Sequence, residues 1–217
     1  MDVEAVRSWV EGWAVSRGAA PPVSEPWGFT VDVGLSGQVA RHVLTDADES
    51  LVRELTETVT APDTWLKLFL PPRTVASWAA PGWRLDDDGF LMSALLRTDD
   101  AVAPDGYRVR TWARGGVTRV LVLAEDGAFA ARGQVAMPGP GCTAVFDQVE
   151  TSPAHRRKGL GSLVMRTLEN AAVASGSSSA VLAATVEGRA LYASLGWRTH
   201  SPLTSLVRDV PPQRREM

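Results

Sequence analysis

Seven consecutive residues, Arg156-Arg157-Lys158-Gly159-Leu160-Gly161-Ser162, set three cations beside two glycines. Glycine has no Cβ, so main-chain N–H groups at such a turn can approach a ligand closely. If the turn also opens a helix, those donors, the positive end of the helix dipole and the adjacent cations together make an anion site suited to a pyrophosphate. His155 stands just before the cluster as a further partner for negative charge. Two other phosphate loops are excluded by spacing, since neither Gly-x-x-x-x-Gly-Lys-Ser/Thr nor Gly-x-Gly-x-x-Gly occurs here.

Two elements must hold that turn in place. Residues 143–151 are rich in β-branched and aromatic types and follow the turn cluster Pro138, Gly139, Pro140, Gly141, which predicts a strand. Beyond the turn, Leu160, Leu163, Val164, Leu168, Ala171 and Ala172 recur at helical spacing. They predict a long amphipathic helix with one apolar stripe, ended by Gly176.

Pro153, Arg156, Gly159 and Gly161 fit the Arg/Gln-x-x-Gly-x-Gly/Ala signature, preceded by a strand ending in Val/Thr-x-Pro. Downstream, Gly188-Arg189-Ala190-Leu191-Tyr192-Ala193-Ser194-Leu195-Gly196-Trp197 matches a short helix ending Tyr-x-x-Leu-Gly-Phe. In these two motifs, ordered and separated by one predicted strand, the chain resembles the GNAT superfamily of acyl-CoA N-acyltransferases over residues 106–209, about half its length. The resemblance implies an α/β (α+β) fold, a mixed and mostly antiparallel sheet flanked by helices. Its two central parallel strands, here 143–151 and 180–184, splay apart to admit a pantetheine arm. It implies acetyl-CoA as acyl donor and no metal, with main-chain contacts to pantetheine from Val149 and Thr151. The pyrophosphate would lie on the amides of residues 157–162, so that Arg156, Arg157, Lys158, Gly159, Leu160, Gly161 and Ser162 form the cofactor site.

Acyl transfer to an amine needs a neutral amine, a stabilised oxyanion and a proton for the departing thiolate. Tyr192 matches the family tyrosine that acts as general acid. For the base, Asp147 and Glu150 are the candidates, with a positioned water as the third option. Strand alternation puts the two carboxylates on opposite faces unless a bulge intervenes. The chain departs from the family pattern at Thr185, where asparagine is usual, and at Gly188. It also leaves only a few residues between Trp112 and Val117, too few for the two helices that form the family's acceptor lid. The acidic half, residues 1–100, is the expected replacement, with a preference for a cationic amine. The reading is thus an N-acetyltransferase acting by direct attack on a small-molecule or protein amine. The alternative is a catalytically silent GNAT-like module that binds acyl-CoA as a sensor or interaction domain.

Composition sets the outer bounds. With 217 residues and 45% hydrophobic content, the chain can bury a sizeable core. The net charge of −3 conceals an asymmetry: residues 1–100 hold 16 acids and 8 bases, residues 101–217 hold 9 acids and 14 bases. This basic half suits an anionic cofactor and lacks the stripe of a nucleic-acid binder. A single cysteine, Cys142, excludes an internal disulfide and suits a reducing compartment. No signal peptide or bilayer-spanning run is visible, so a cytoplasmic protein away from membranes is expected, with a homodimer as the possible assembly.

Along the chain, Val3, Val6, Trp9, Val10 and Trp13 predict an amphipathic helix to Gly18. Strands at 29–33 and 39–44 are joined through residues 34–37. A helix follows to Val59, with Asp46 as N-cap and Glu49 at the capping-box position. A strand at 65–70 and a short helix at 74–80 lead to a second extended stretch. Residues 80–84, Ala-Pro-Gly-Trp-Arg, echo Ser-Leu-Gly-Trp-Arg at 194–198, so the first hundred residues are read as a smaller α/β region and candidate degenerate copy of the second. Residues 101–210 form the acetyl-CoA-binding domain. Its strands lie at 107–112, 117–124 and 128–137, with Asp126-Gly127 as a strong hairpin signal, and the last is at 203–208. The tail, 211–217, is expected to fray.

Overall fold

The protein is described by a computed structural model over residues 2–86 and 88–209; the tail at 211–217 lies outside these. The described residues form two compact units, one comprising Asp2–Gly18 and Met92–Thr199, the other Ala19–Leu91 and residues 200–209.

The unit containing the basic turn begins with α1 (Val3–Arg17), where Asp2 accepts hydrogen bonds from the amides of Glu4 (3.0 Å) and Ala5 (3.3 Å). Gly18 ends the helix in the left-handed region, at φ 64°. Four strands, β7 (Tyr107–Arg114), β8 (Val117–Ala124), β9 (Phe129–Ala136) and β10 (Ala144–Thr151), make an antiparallel meander. The β8–β9 turn falls at Asp126-Gly127, as expected: the Gly127 amide donates to the Ala124 carbonyl at 2.9 Å. After β10 come the turn, α4 (Leu160–Ala174), β11 (Ser179–Thr185) parallel to β10, and α5 (Val186–Ser194).

The sheet is sandwiched. On one face α4 buries Leu160, Leu163, Val164 and Leu168 against β8, β9 and β10. On the other, α1 lays Val6, Trp9, Val10 and Trp13 over β9, β10 and β11. Each such side chain contributes about 1.5–3 kcal/mol on leaving water. Gly12 is what brings α1 so close: a Cβ there would stand 2.1 Å from Val145 Cγ2. Any larger residue would lift the helix and its last turn off the sheet.

In the other unit, β1 (Val23–Glu25), β2 (Gly28–Leu35) and β3 (Gln38–Leu44) form a meander. α2 (Glu49–Thr58) then crosses over to β4 (Thr64–Leu68), parallel to β3. α3 (Pro72–Trp78), β5 (Trp83–Leu85) and the first residues of β6 (Gly89–Leu95) follow, and β12 (Arg198–Arg208), most of which belongs to this unit, pairs with both β4 and β5. Leu44, Val52, Leu66, Leu68, Val75 and Leu206 are its core. The order strand, helix, parallel strand, helix, Gly-Trp-Arg, strand therefore occurs twice in the chain. One expectation is corrected: Asp48, not Asp46, caps α2, its Oδ1 accepting from the Leu51 amide at 2.8 Å. The helix starts at Glu49, so only Asp48 stands where a side chain reaches the first-turn amides.

Both units are α/β, and the sheet of each is mostly antiparallel and flanked by helices. No helix among the described residues is long and apolar enough to cross a membrane.

Candidate active site

The parallel pairing of β10 with β11 is short. It joins Ala144 to Ala180, Val145 to Val181 and Phe146 to Leu182, whereas β10 runs on to Thr151 and β11 to Thr185. Past Phe146 the strands part, and the gap is a cleft of about 1260 Å³.

A bulge in β10 accompanies the parting. Asp147 stands opposite Gln134 and Glu150 opposite Arg132, three residues along one strand against two along the other, with Gln148 at φ 53°. The extra residue cancels the alternation that would have separated the carboxylates. Both now lie on the face that carries α1.

At the far end, residues 156–162 enter α4. Arg157 (φ 62°) and Gly159 (φ 76°) both take left-handed backbone, an arrangement in which successive N–H groups converge on an anion. α1, α2 and α5 each have a side-chain N-cap, in Asp2, Asp48 and Thr185; α3 begins on Pro71-Pro72 without one, and α4 has Gly159 and no side-chain cap. Its first-turn amides thus have no side-chain acceptor of their own and open into the cleft, beside Arg156, Arg157, Leu160, Gly161 and Ser162. The equivalent junction of the other unit, between β3 and α2, carries Asp46 and Asp48 and repels an anion.

Val149, Thr151, Asp147, Glu150 and Tyr192 line the same cleft. Lys158 does not: its Nζ sits 5.9 Å from the centre of the Tyr107 ring, beside a depression of about 670 Å³ that also holds Asp105, Glu125 and Asp126. His155 likewise turns to Tyr107, Nδ1 to Oη 3.0 Å. Among the described residues no cluster of His, Cys, Asp and Glu could hold a metal ion.

The two carboxylates are in different states. Asp147 accepts four hydrogen bonds: from Ser16 Oγ (2.7 Å) and Arg17 Nε (2.5 Å) on Oδ2, and from Arg17 Nη2 (2.9 Å) and the Gln148 amide (2.9 Å) on Oδ1. Gln134 Nε2 braces Ser16 through its carbonyl (2.8 Å) and its hydroxyl (2.7 Å). The Asp147 carboxylate is saturated, and it ties the end of α1 to the bulge. Glu150 is half-exposed and meets Arg132 through one oxygen, Oε2, at 2.9 Å from both Nε and Nη2. Ser16, Arg17, Arg132 and Gln134 were not legible as site residues, because nothing in their local sequence marks a partner so far along the chain.

Tyr192 is placed by α5, whose N-cap Thr185 accepts from the Gly188 amide at 3.0 Å. A threonine here caps the helix as an asparagine would. Burial, and secondarily the negative charge of Asp147, push the Tyr192 hydroxyl up to about 12. It therefore keeps its proton throughout the neutral range. Trp197 packs near Tyr192, meets Phe146 edge-on at 5.1 Å and donates from Nε1 to Glu169 Oε1 at 2.9 Å.

Glu169 supplies a test of this packing. Burial raises its pKa above 4.5, outweighing the hydrogen bond from Trp197, which lowers it. A carboxyl whose folded pKa is raised stabilises the fold below its unfolded pKa, and that contribution disappears as pH rises through the folded value. Glu169→Gln keeps an acceptor for Trp197 and removes the buried charge. Its melting temperature should exceed that of the wild type at pH 7, and the difference should vanish below about pH 4.

The profile of the Acetyltransferase (GNAT) family matches residues 83–197. Among solved structures, a GCN5-related N-acetyltransferase from Kribbella flavida is similar at 18% identity and a TM-score of 0.65, covering 96% of each chain. An acetyltransferase of the GNAT family from Novosphingobium aromaticivorans aligns at 19% identity and 0.57, over 95% of this chain and 98% of its own. A tandem GNAT protein from the clavulanic acid biosynthesis pathway aligns at 16% and 0.55, over 94% of both chains. At such identities the likeness concerns the fold. No curated protein sequence matches this one.

Proposed function

Because the chain belongs to the GNAT family of acetyltransferases, whose chemistry is acyl transfer, we propose that it moves an acetyl group from acetyl-CoA to an amine by direct attack. The observation that carries this reading is the uncapped start of α4, which opens into a cleft that also holds a protonated Tyr192. Arg156 and Arg157 add positive charge, and the parted edge of β10 at Val149 and Thr151 offers main-chain groups to an extended amide-bearing arm.

In this reading the amine nitrogen attacks the thioester carbonyl and forms the C–N bond. Collapse of the tetrahedral species breaks the C–S bond, and the thiolate takes the Tyr192 proton. Glu150 receives the proton lost by the amine, because its Oε1 has no hydrogen-bond partner among the described residues. Asp147, with both oxygens occupied, positions the bulge and the end of α1.

A thiol-release assay over a panel of amines, with calorimetry for acetyl-CoA, tests the proposal. Glu150→Gln should lower kcat/KM by about 10²-fold. Asp147→Asn should lower the melting temperature, and while it stays folded it should cost less activity than Glu150→Gln. If Asp147→Asn costs the larger factor, the base is assigned to the wrong carboxylate. Saturable acetyl-CoA binding with no thiol release from any amine would leave a binding module.

A further inference from the structure

The face of the sheet that carries α1 is only partly covered. Cross-strand register puts Arg108 opposite Leu123, Arg110 opposite Leu121, Trp112 opposite Arg119 and Arg114 opposite Val117. On the next strand Leu121 faces Arg132, which faces Glu150. One row therefore reads Glu150, Arg132, Leu121, Arg110, leading straight away from the cleft. α1 covers Val145, and Val117 and Ala136 are buried at the same end, whereas Trp112 remains 47% and Phe129 38% exposed.

Five arginines, 108, 110, 114, 119 and 132, thus share one face with Trp112, Leu121, Leu123 and Phe129. Arg132 pairs with Glu150, but Arg108, Arg110, Arg114 and Arg119 make no ion pair with any described residue. Like charges gathered on one face repel one another, although none of these arginines stands directly opposite another. Charged residues on an edge strand commonly block unwanted pairing, which accounts for the three on β7. It does not account for Arg119 and Arg132 on inner strands, nor for all five lying on one face.

We propose that this face docks an acidic, apolar-rich segment of a polypeptide whose amine enters the cleft beside Glu150. The proposal rests on acetyl transfer to an amine and names the class of acceptor. Charge complementarity selects an anionic partner. Extent selects a polymer: Glu150 to Arg110 spans three strand spacings, about 14 Å, and Arg108 to Arg114 about 20 Å along β7. The leucines between the arginines, Leu121 and Leu123, favour a polypeptide with apolar side chains among its acids over a nucleic acid, for which only the rings of Trp112 and Phe129 would serve as stacking partners.

The test uses a dodecapeptide of alternating glutamate and leucine with a free N-terminal amine and a C-terminal fluorophore. Its controls are a serine–leucine peptide and a single-stranded DNA dodecamer, all read by anisotropy against the full chain. The acidic peptide should bind saturably and at least about tenfold more tightly than the serine peptide, and lose affinity as salt rises. R110E/R119E should weaken it by about tenfold or more and R110Q/R119Q by less, with acetyl-CoA affinity unchanged in both. A surface role alone predicts no such graded loss. Equal binding of the two peptides, wild-type binding by R110E/R119E while it melts like wild type, or tighter binding of the DNA overturns the proposal. Thiol release is measured separately: docking without release defeats the acetyl-transfer reading alone, and release from small amines with no peptide preference defeats the docking alone.

Discussion

Tyr192→Phe should lower kcat for thiol release by about 10²–10⁴-fold, the usual worth of a positioned acid, and leave acetyl-CoA affinity within about twofold. The separation follows from geometry. Tyr192 lies on α5, remote in sequence from the uncapped start of α4, so the proposed acid and the proposed anion site are different groups. Phenylalanine retains the packing on Trp197 and removes only a buried hydroxyl, so the melting temperature should hold or rise. The pH profile adds a second check. With the hydroxyl pushed up to about 12, kcat of the wild type should show no alkaline fall from loss of the Tyr192 proton between pH 8 and 10. A Tyr192→Phe enzyme with unchanged kcat would assign the proton to another donor.

Gly159→Val should weaken acetyl-CoA binding by about 10²-fold, measured by calorimetry. At φ 76° a β-branched residue is strained, and relief of that strain rotates the first-turn amides away from the cleft. Losing two charge-assisted hydrogen bonds at about 1.5 kcal/mol each gives that factor. No Cβ clash contributes, since nothing lies within 4 Å of the position it would occupy. The ligand-induced rise in melting temperature should shrink in step. A variant that binds acetyl-CoA as the wild type does would remove the turn from the binding site.

The strand, turn and helix from 144 to 174 were legible because every cue is local: β-branched residues, a glycine pair, then a helical apolar stripe. The bulge was legible only as a condition. Gln148 is not a residue type that announces left-handed backbone, and the register of β9 decides where the slip falls. The saturation of Asp147 was out of reach, since Ser16 and Arg17 close on it from 131 and 130 residues away. Lys158 belonged by composition to the cationic turn, but the Tyr107 ring on another strand draws its side chain away. Asp46 and Asp48 are equally good capping residues, and the two-residue difference rests on where α2 packs, which local sequence does not encode.

The distance in sequence between α1 and its bed has a consequence during synthesis. Val3–Arg17 emerges from the ribosome well ahead of β10, 131 residues separating Ser16 from Asp147. At bacterial or eukaryotic elongation speeds that interval lasts roughly 7 to 26 s. Through most of it Trp9 and Trp13 have no sheet to be buried against, and until β10 and β11 follow β9 the bed is incomplete, so the nascent chain presents a greasy helix to whatever chaperones attend it. Stalled or truncated products ending before Ala144 never acquire β10 and β11, and they are the species expected to aggregate.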